Sequence, residues 1–414
     1  MPHPPAGVNL RHPNFRYYVA MRVLNTTATE MQALAVAWQV YGLTHRPLDL
    51  GLIGLAQFLP GILLFLVAGQ TADRFSRQRI LQICCAGFAL CSLMLLALFW
   101  HGVSSILPIY GVVLLNGVVR AFNGPASQAF LPLLVPEAEF PKAVAWNSSI
   151  FQAATIAGPV AGGLLYGWTH NPALVYGCAA SEYLIALAML ARVRVLAAPR
   201  ERQAASFGMA WEGLRYIRRN PLILGAISLD LFAVLLGGAV ALLPVYAREI
   251  LKVGASGLGI LRSAPGVGAV IMALVVARWP LQRHAGSIML WCVCGFGIFT
   301  VVFGLSRSPA LSLVALALIG ACDMVSVIVR HTLVQLSTPD EMRGRVSAVN
   351  VVFIGASNEV GQFESGITAQ WFGTVPAVVM GGIGTIAIVC LWAWRFPALR
   401  RVDALIQPPR ATQA

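Results

Sequence analysis

Nine ionisable side chains inside long apolar stretches of this sequence are functional candidates, because a charge there is costly unless it meets water, an opposite charge or a solute. A buried carboxylate favours its neutral form and a neighbouring guanidinium favours the charged one, so a carboxylate held between them can take up and release a proton. These side chains are therefore candidates for proton exchange and for contact with a solute in a cavity. They are Arg22, Glu30, Arg120, Asp230, Arg262, Asp323, Arg330, Glu359 and Glu364.

Among the acids, we expect Glu30, Asp323 and Glu359 to lead as proton carriers, with Asp230 next. Glu359 and Glu364 are five residues apart, about 140° around a helix, so they point in different directions. Asp323 and Arg330 share a helix face but lie about 10 Å apart along it, so a direct pair is not expected. The alternative for each residue is a fixed ion pair that holds two helices together.

The elements that position these charges are predicted to be membrane helices. The chain has 414 residues, of which 58% are hydrophobic and only 11% charged, with a mean hydropathy of +0.74. Soluble domains carry about 25% charged residues. The composition therefore excludes a soluble enzyme and predicts an all-α membrane protein with twelve transmembrane helices. The spans run over 17–44, 51–69, 80–100, 104–128, 142–167, 173–194, 222–246, 254–277, 286–305, 309–335, 346–372 and 375–394.

The distribution of basic residues predicts the orientation. Most of the 29 Lys and Arg fall in the loops after even-numbered spans and in the tail, which is the positive-inside pattern of an inner-membrane protein. Both termini are therefore expected in the cytoplasm, and the net charge of +13 indicates a lipid bilayer rather than nucleic acid as the partner. The eight cysteines fall in apolar spans without metal-ligand spacing, so we expect no metal and no cofactor.

The two halves of the sequence repeat. Shifting the chain by 203 residues aligns about 55 residues without a gap, which predicts two six-helix bundles related by a pseudo-twofold axis along the membrane normal. We expect bundles at 1–194 and 222–414, joined by a cytoplasmic linker at 195–221 that contains a short amphipathic helix. The shift pairs Gly117 with Gly320, Asn147 with Asn350, Gly158 with Gly361, Gly163 with Gly366 and Trp168 with Trp371.

The same shift pairs Arg120 with Asp323. We hypothesise that these two side chains face each other across a central cavity at equal depth. A cavity between two similar bundles that rock about it would open to each side of the membrane in turn.

Two local motifs carry a wider resemblance. The loop after span two contains one glycine, one acid and three arginines, and span five contains a Gly-Pro-x-x-Gly-Gly sequence. Glycine allows close helix contact and proline leaves a carbonyl unpaired, so a helix can bend there. The loop residues are Gly69, Asp73, Arg74, Arg77 and Arg79, and the helix residues are Gly158, Pro159, Gly162 and Gly163.

In this setting the sequence resembles the major facilitator superfamily, in particular the bacterial branch of enterobactin exporters and macrolide or multidrug efflux pumps. The resemblance implies a gating role for the loop motif and export rather than import from the span-five motif. It also implies that helices one, four, seven and ten line the cavity. The second-half loop copy at 277–283 departs from this motif because it lacks the acid.

Three functions remain open. The first is a secondary active transporter that exports small amphipathic, drug-like molecules by alternating access, with proton antiport and as a monomer. The second keeps the fold and exports a siderophore or another dedicated metabolite. The third, from another class, is a membrane sensor or lipid scramblase that does not transport solutes. An enzyme is not expected, because no catalytic constellation falls at membrane depth.

Overall fold

A computed structural model describes residues 13–102, 105–194, 207–280 and 284–402, and every regular element in these ranges is a helix. The α-helices include a long helix for most of the apolar spans of the sequence. They are α1 Pro13–Thr44, α2 Pro47–Leu63, α3 Phe65–Arg74, α4 Arg77–Trp100, α5 Leu107–Phe130, α6 Phe140–Thr169, α7 Pro172–Ala191, α8 Phe207–Arg219, α9 Pro221–Leu236, α10 Leu243–Val245, α11 Gly254–Arg278, α12 Ala285–Leu305, α13 Pro309–Leu336, α14 Asp340–Phe372, α15 Thr374–Arg395 and α16 Pro397–Arg400.

Within the described ranges, nine helical segments are long and apolar enough to cross a membrane, and one of them, Pro221–Ile250, runs through α9, α10 and the turns that follow each of them. The other three predicted spans also correspond to helices. The first and eleventh are α1 and α14, which are long but carry several charged residues. The second is divided between α2 and α3. The all-α membrane fold expected from composition is therefore confirmed.

Proline and asparagine define several of the helix starts. Asn171 and Asn220 each precede a proline at the first turn, and each side chain accepts a hydrogen bond from a backbone N–H of that turn. Proline is tolerated there because its missing N–H would have no partner within the helix. The residue before Asn171 is His170, whose φ of 53° ends α6 in the left-handed conformation. The chain thus reverses between α6 and α7 within two residues.

The seventh predicted span is not one continuous helix. It stops at Leu236, where Gly237 and Gly238 follow, and continues through a 3₁₀ turn, the short α10 and a π turn at Tyr246–Ile250. Paired glycines and π turns are frequent causes of such breaks. The apolar pattern predicted a single helix over 222–246, because hydropathy does not register a change of helix type.

Residue contacts divide the chain into two compact units. Unit 1 comprises 1–45, 56–205 and 253–263, and unit 2 comprises 46–55, 206–252 and 264–414. The core of unit 1 is built from α1, α4, α5 and α7, with Phe88 stacked on Tyr183 at 5.3 Å between ring centroids. The main core of unit 2 joins α9, α12, α13 and α15.

The short helix α8 has the amphipathic pattern predicted for the linker, but its apolar residues do not all lie in the same environment. Leu214 and Ile217 pack in a second core of unit 2, whereas Trp211 is exposed. Glu212 forms an ion pair with Arg345 of α14, with 2.5 Å between the oxygen and Nη1. This part of the helix is therefore anchored to protein.

Tryptophans mark the ends of several spans. Trp100, Trp168 and Trp371 lie at or near the C-terminal ends of α4, α6 and α14, with exposed fractions of 73%, 87% and 75%. Large exposed indoles at helix ends are typical of the membrane–water interface. The repeat pair Trp168 and Trp371 thus occupies matching places in the two halves.

Candidate transport site

A buried ion pair lies at the centre of unit 2. Asp230 of α9 and Arg330 of α13 are 2.8 Å apart between Oδ2 and Nη1, and their side chains are 8% and 3% exposed. The same guanidinium nitrogen donates to Oδ1 of Asn350 in α14 at 3.5 Å, and Nε of Arg330 is buried without a partner. Three helices therefore meet at one guanidinium group.

A second carboxylate stands near this pair. Asp323 precedes Arg330 by two helical turns and interacts electrostatically with both Asp230 and Arg330. A small cavity of about 10 Å³ is lined by Asp230, Asp323 and Ser326, among others. This volume fits about one water molecule. As predicted, the direct partner of Arg330 is not Asp323.

The arrangement has a clear electrostatic consequence. Two carboxylates share the neighbourhood of one guanidinium, so the group carries one excess negative charge when both acids are ionised. An excess charge in a largely dry interior is costly, and binding one proton removes it. The chemistry available to this site is therefore reversible protonation.

Unit 1 contains a weaker pair at a junction of three helices. Glu30 of α1 and Arg262 of α11 are 3.8 Å apart, and their side chains are about one-quarter exposed. Gly158 of α6 lies against Glu30, since a Cβ atom on Gly158 would come within 2.6 Å of Glu30 Cβ. Glu30 therefore packs directly against the backbone of α6, at a position where α6 has space for a glycine but not for a larger residue.

The remaining span-five glycines serve the same junction. A Cβ on Gly162 would lie 2.9 Å from Cα of Met31, and a Cβ on Gly163 would lie 2.8 Å from Cα of Gly259. The Pro159 carbonyl oxygen would be 2.3 Å from a Cβ on Gly259. The Gly-Pro-x-x-Gly-Gly sequence therefore permits backbone-to-backbone packing of α6 against both α1 and α11.

The equivalent stretch of α14 makes a similar crossing in unit 2. A Cβ on Gly366 would lie 3.0 Å from Cα of Gly51 in α2. Gln362 donates to Oε2 of Glu359 at 3.1 Å, and both side chains lie beside Gly54. Glu364 instead accepts a hydrogen bond from Thr368 at 2.8 Å. The two glutamates have different partners, in agreement with their predicted separation around the helix.

The other predicted residues are placed as follows. Arg22 lies over the ring of Phe151 in α6, and Arg120 is exposed on α5 within unit 1. The hypothesis that Arg120 faces Asp323 concerns residues of different units and stays a prediction.

In the loop motif, Arg77 is buried at the start of α4, Gly69 has open space around it, and Arg74 and Arg79 are exposed. The side chain of Asp73 lies outside the described part of the chain.

Sequence reasoning missed Glu182, which lies near the middle of α7. Its side chain is half-buried, and its Oε2 atom is buried without a hydrogen-bond partner. The signal was present, because a carboxylate in the middle of an apolar span meets the same criterion as the other acids.

We expect the substitution Glu182→Leu to stabilise unit 1 by about 1–2 kcal/mol, because it removes a buried polar atom that has no partner. The measurement is thermal unfolding of the purified protein in detergent, with Ser181→Leu at the adjacent exposed position as the control. A lower unfolding temperature for Glu182→Leu than for the control would contradict this expectation.

Comparison with known proteins gives three findings. The model of the family described as transmembrane secretion effector (MFS_3) matches residues 6–412. Two curated relatives are enterobactin exporters named EntS, from Shigella boydii serotype 4 (strain Sb227) and Escherichia coli O139:H28 (strain E24377A / ETEC). Each is 27% identical over 406 residues, which cover 97% of this chain and 95% of the relative.

Solved structures share the fold at lower identity. A peptide transporter, POT, has a TM-score of 0.76 at 10% identity and covers 98% of each chain. A bacterial homologue of the iron transporter ferroportin in an inward-facing state has a TM-score of 0.72 at 14% identity, covering 96% of this chain and all of the other. At these identities the likeness concerns the fold alone.

Proposed function

The chain belongs to the transmembrane secretion effector family of major facilitator transporters, and on this premise we propose that it exports small amphipathic, drug-like molecules by alternating access with proton antiport. It is a multi-pass membrane transporter and not an enzyme. Export from the cytoplasm, coupling to protons and the nature of the cargo are the parts that we add.

The observation that carries the coupling proposal is the group formed by Asp230, Asp323 and Arg330. One guanidinium beside two carboxylates leaves room for one proton, and a cavity the size of a water molecule touches both acids. Loss of that proton would favour a state in which the excess charge is hydrated. Gain of the proton would favour a dry, closed state. Glu30 and Glu359 are the alternative proton carriers.

We expect cargo uptake into everted membrane vesicles to collapse when a protonophore removes the proton gradient. In the same vesicles, Asp323→Asn should leave uptake insensitive to the gradient, because an amide cannot exchange the proton. Glu212→Gln, at an exposed ion pair of α8, is the matched control and should behave as wild type.

Uptake that survives full loss of the gradient in the wild-type protein would contradict proton coupling. A normal response of Asp323→Asn would remove this acid as the carrier. Glu30→Gln and Glu359→Gln, tested in parallel, would then identify which remaining carboxylate the gradient acts on.

A dedicated siderophore is the second candidate cargo. The observation that favours it is the sequence similarity, along nearly the whole chain, to relatives that are enterobactin exporters. Growth of an expressing strain across a panel of toxic compounds separates the two cargo classes. Broad tolerance supports drug-like cargo, whereas siderophore secretion without changed tolerance supports the dedicated exporter.

The location, oligomeric state and orientation of the protein are also proposed. We place the protein in the bacterial cytoplasmic membrane as a monomer with both termini in the cytoplasm. The basis is the concentration of Lys and Arg in the loops after even-numbered spans. Labelling of cysteines introduced into opposite loops, from each side of the membrane, tests the orientation.

A further inference from the structure

Arg22 lacks the carboxylate partner that Arg330 and Arg262 have in the described helices. Arg330 meets Asp230 at 2.8 Å, and Arg262 meets Glu30 at 3.8 Å. Within the described ranges, no carboxylate lies within ion-pair distance of Arg22. Its guanidinium carbon lies 5.2 Å from the centroid of the Phe151 ring, and its Nε atom is buried without a hydrogen-bond partner.

A complementary atom lies on the same face of α6. Asn147 precedes Phe151 by one helical turn, and its Oδ1 atom is buried without a donor. Side chains of a helix lean towards its N-terminus, so Arg22 extends towards the level of Tyr18, with which it interacts electrostatically. The Phe151 ring thus lies close to an unsatisfied donor on α1, and an unsatisfied acceptor lies one helical turn before that ring on α6.

The equivalent position in the second half of the chain has a carboxylate that pairs with its guanidinium, and within the described residues the site at Arg22 does not. The 203-residue shift pairs Asn147 with Asn350 and Ser127 with Arg330. In unit 2, Asn350 bonds to the guanidinium, and Asp230 supplies the opposite charge. In unit 1, Asn147 Oδ1 has no donor and the nearby positive charge comes from Arg22. Among the residues that the structure describes, a carboxylate pairs with the guanidinium beside Asn350 but none pairs with Arg22.

We propose that the Arg22 site binds the anionic group of the cargo, and that the cargo is an organic anion with a hydrogen-bond donor beside its charge. The anionic oxygen accepts from the Arg22 guanidinium, and the donor meets Oδ1 of Asn147. Phe151 holds the guanidinium by a cation–π contact while leaving its nitrogen donors available. This inference rests on the proposed export function and adds the charge class of what is exported.

The test uses salicylate as the probe, because it carries a hydroxyl next to a carboxylate. Binding is measured by equilibrium dialysis with the purified protein in nanodiscs of zwitterionic lipid. Salicylamide is the neutral control, and benzoate is the control without the hydroxyl. We expect salicylate to bind more tightly than either control.

We expect Arg22→Gln to weaken salicylate binding on the order of tenfold, the effect of losing one charged hydrogen bond. Asn147→Leu should remove the preference for salicylate over benzoate. Arg16→Gln, an exposed arginine on the same helix, should bind as wild type. If Arg22→Gln does not fold, Arg22→Lys keeps the charge without the planar guanidinium and should still prefer salicylate over salicylamide.

Equal salicylate binding by wild type and Arg22→Gln would overturn the inference, whatever the vesicle assay shows. Arg22-dependent binding in a protein that moves no cargo would instead contradict the export proposal alone. A lipid phosphate shares this chemistry. Loss of salicylate binding when phosphatidylglycerol is added to the nanodiscs would assign the site to lipid and overturn the assignment to cargo.

Discussion

Removal of either charge alone from the Asp230–Arg330 pair is expected to destabilise the protein by about 3–5 kcal/mol, because the remaining group loses its direct 2.8 Å partner and Asp323, two helical turns from Arg330, does not replace that contact. The pair is only 8% and 3% exposed, so water cannot take over the role of the missing partner. The substitutions are Asp230→Asn and Arg330→Met, measured by thermal or denaturant unfolding of the protein in detergent.

The double variant Asp230→Leu/Arg330→Met separates stability from function. Replacing both partners with apolar residues removes the lone charge of the pair, and Asp323 can become neutral by binding a proton, so stability should return to within about 1 kcal/mol of wild type or exceed it. Transport should remain lost, since Asp323 keeps its carboxylate but loses the guanidinium that favours release of its proton. Transport by the double variant would show that the pair holds helices together and does not take part in coupling.

The exposed ion pair between Glu212 and Arg345 is the matched control. Its side chains are 56% and 35% exposed, and its 2.5 Å separation is shorter than that of the buried pair. Exposed pairs contribute about 0–1 kcal/mol. Glu212→Gln should therefore change the unfolding free energy by less than about 1 kcal/mol. A loss as large as that of Asp230→Asn would contradict the argument from burial.

The second large effect is expected at the crossing of α6 and α11. The substitution Gly163→Ala places a Cβ atom 2.7 Å from the carbonyl oxygen of Ala255 and 2.8 Å from Cα of Gly259. Both atoms belong to the backbone, so relief requires the helices to separate. We expect a loss of stability of about 1–3 kcal/mol, the usual cost of overpacking, together with loss of most transport.

Gly177 in α7 is the control for this substitution. A Cβ at that position has no neighbour within 4 Å, so Gly177→Ala should be neutral or stabilising by up to about 1 kcal/mol through helix propensity. Unfolding temperature and vesicle uptake are measured for both variants. Normal stability and uptake of Gly163→Ala would show that the crossing tolerates separation and that the glycine is not required for close packing.

Much of the fold follows from hydropathy and the internal repeat. The described helices correspond to the twelve apolar stretches, and α6 and α14 extend over their predicted spans with two or more additional residues at the N-terminus. Hydropathy works here because lipid forces the backbone to satisfy its hydrogen bonds within each helix. It did not predict the break after Leu236, since glycine and proline are common in membrane helices that stay continuous.

The candidate site was predictable as a set of residues but not as pairs. The cost of charge in lipid selected Asp230 and Arg330, and helix geometry correctly separated Asp323 from Arg330. Nothing in the sequence indicated that α9 supplies the partner of Arg330, because pairing depends on which helices pack together. Only the three-dimensional packing shows that Gly163 faces Gly259, whose own neighbours in sequence carry no exporter motif.

The interruption at Gly237 and Gly238 divides the seventh span into two helical segments with separate partners. The first segment carries Asp230 and pairs with α13 through Arg330. The second segment contacts α12, where the Tyr246 hydroxyl donates to the Gly304 carbonyl at 2.8 Å and its ring packs on Phe303. Because the two segments are anchored to different helices, a shift of the second segment with α12 does not require Asp230 to leave its guanidinium.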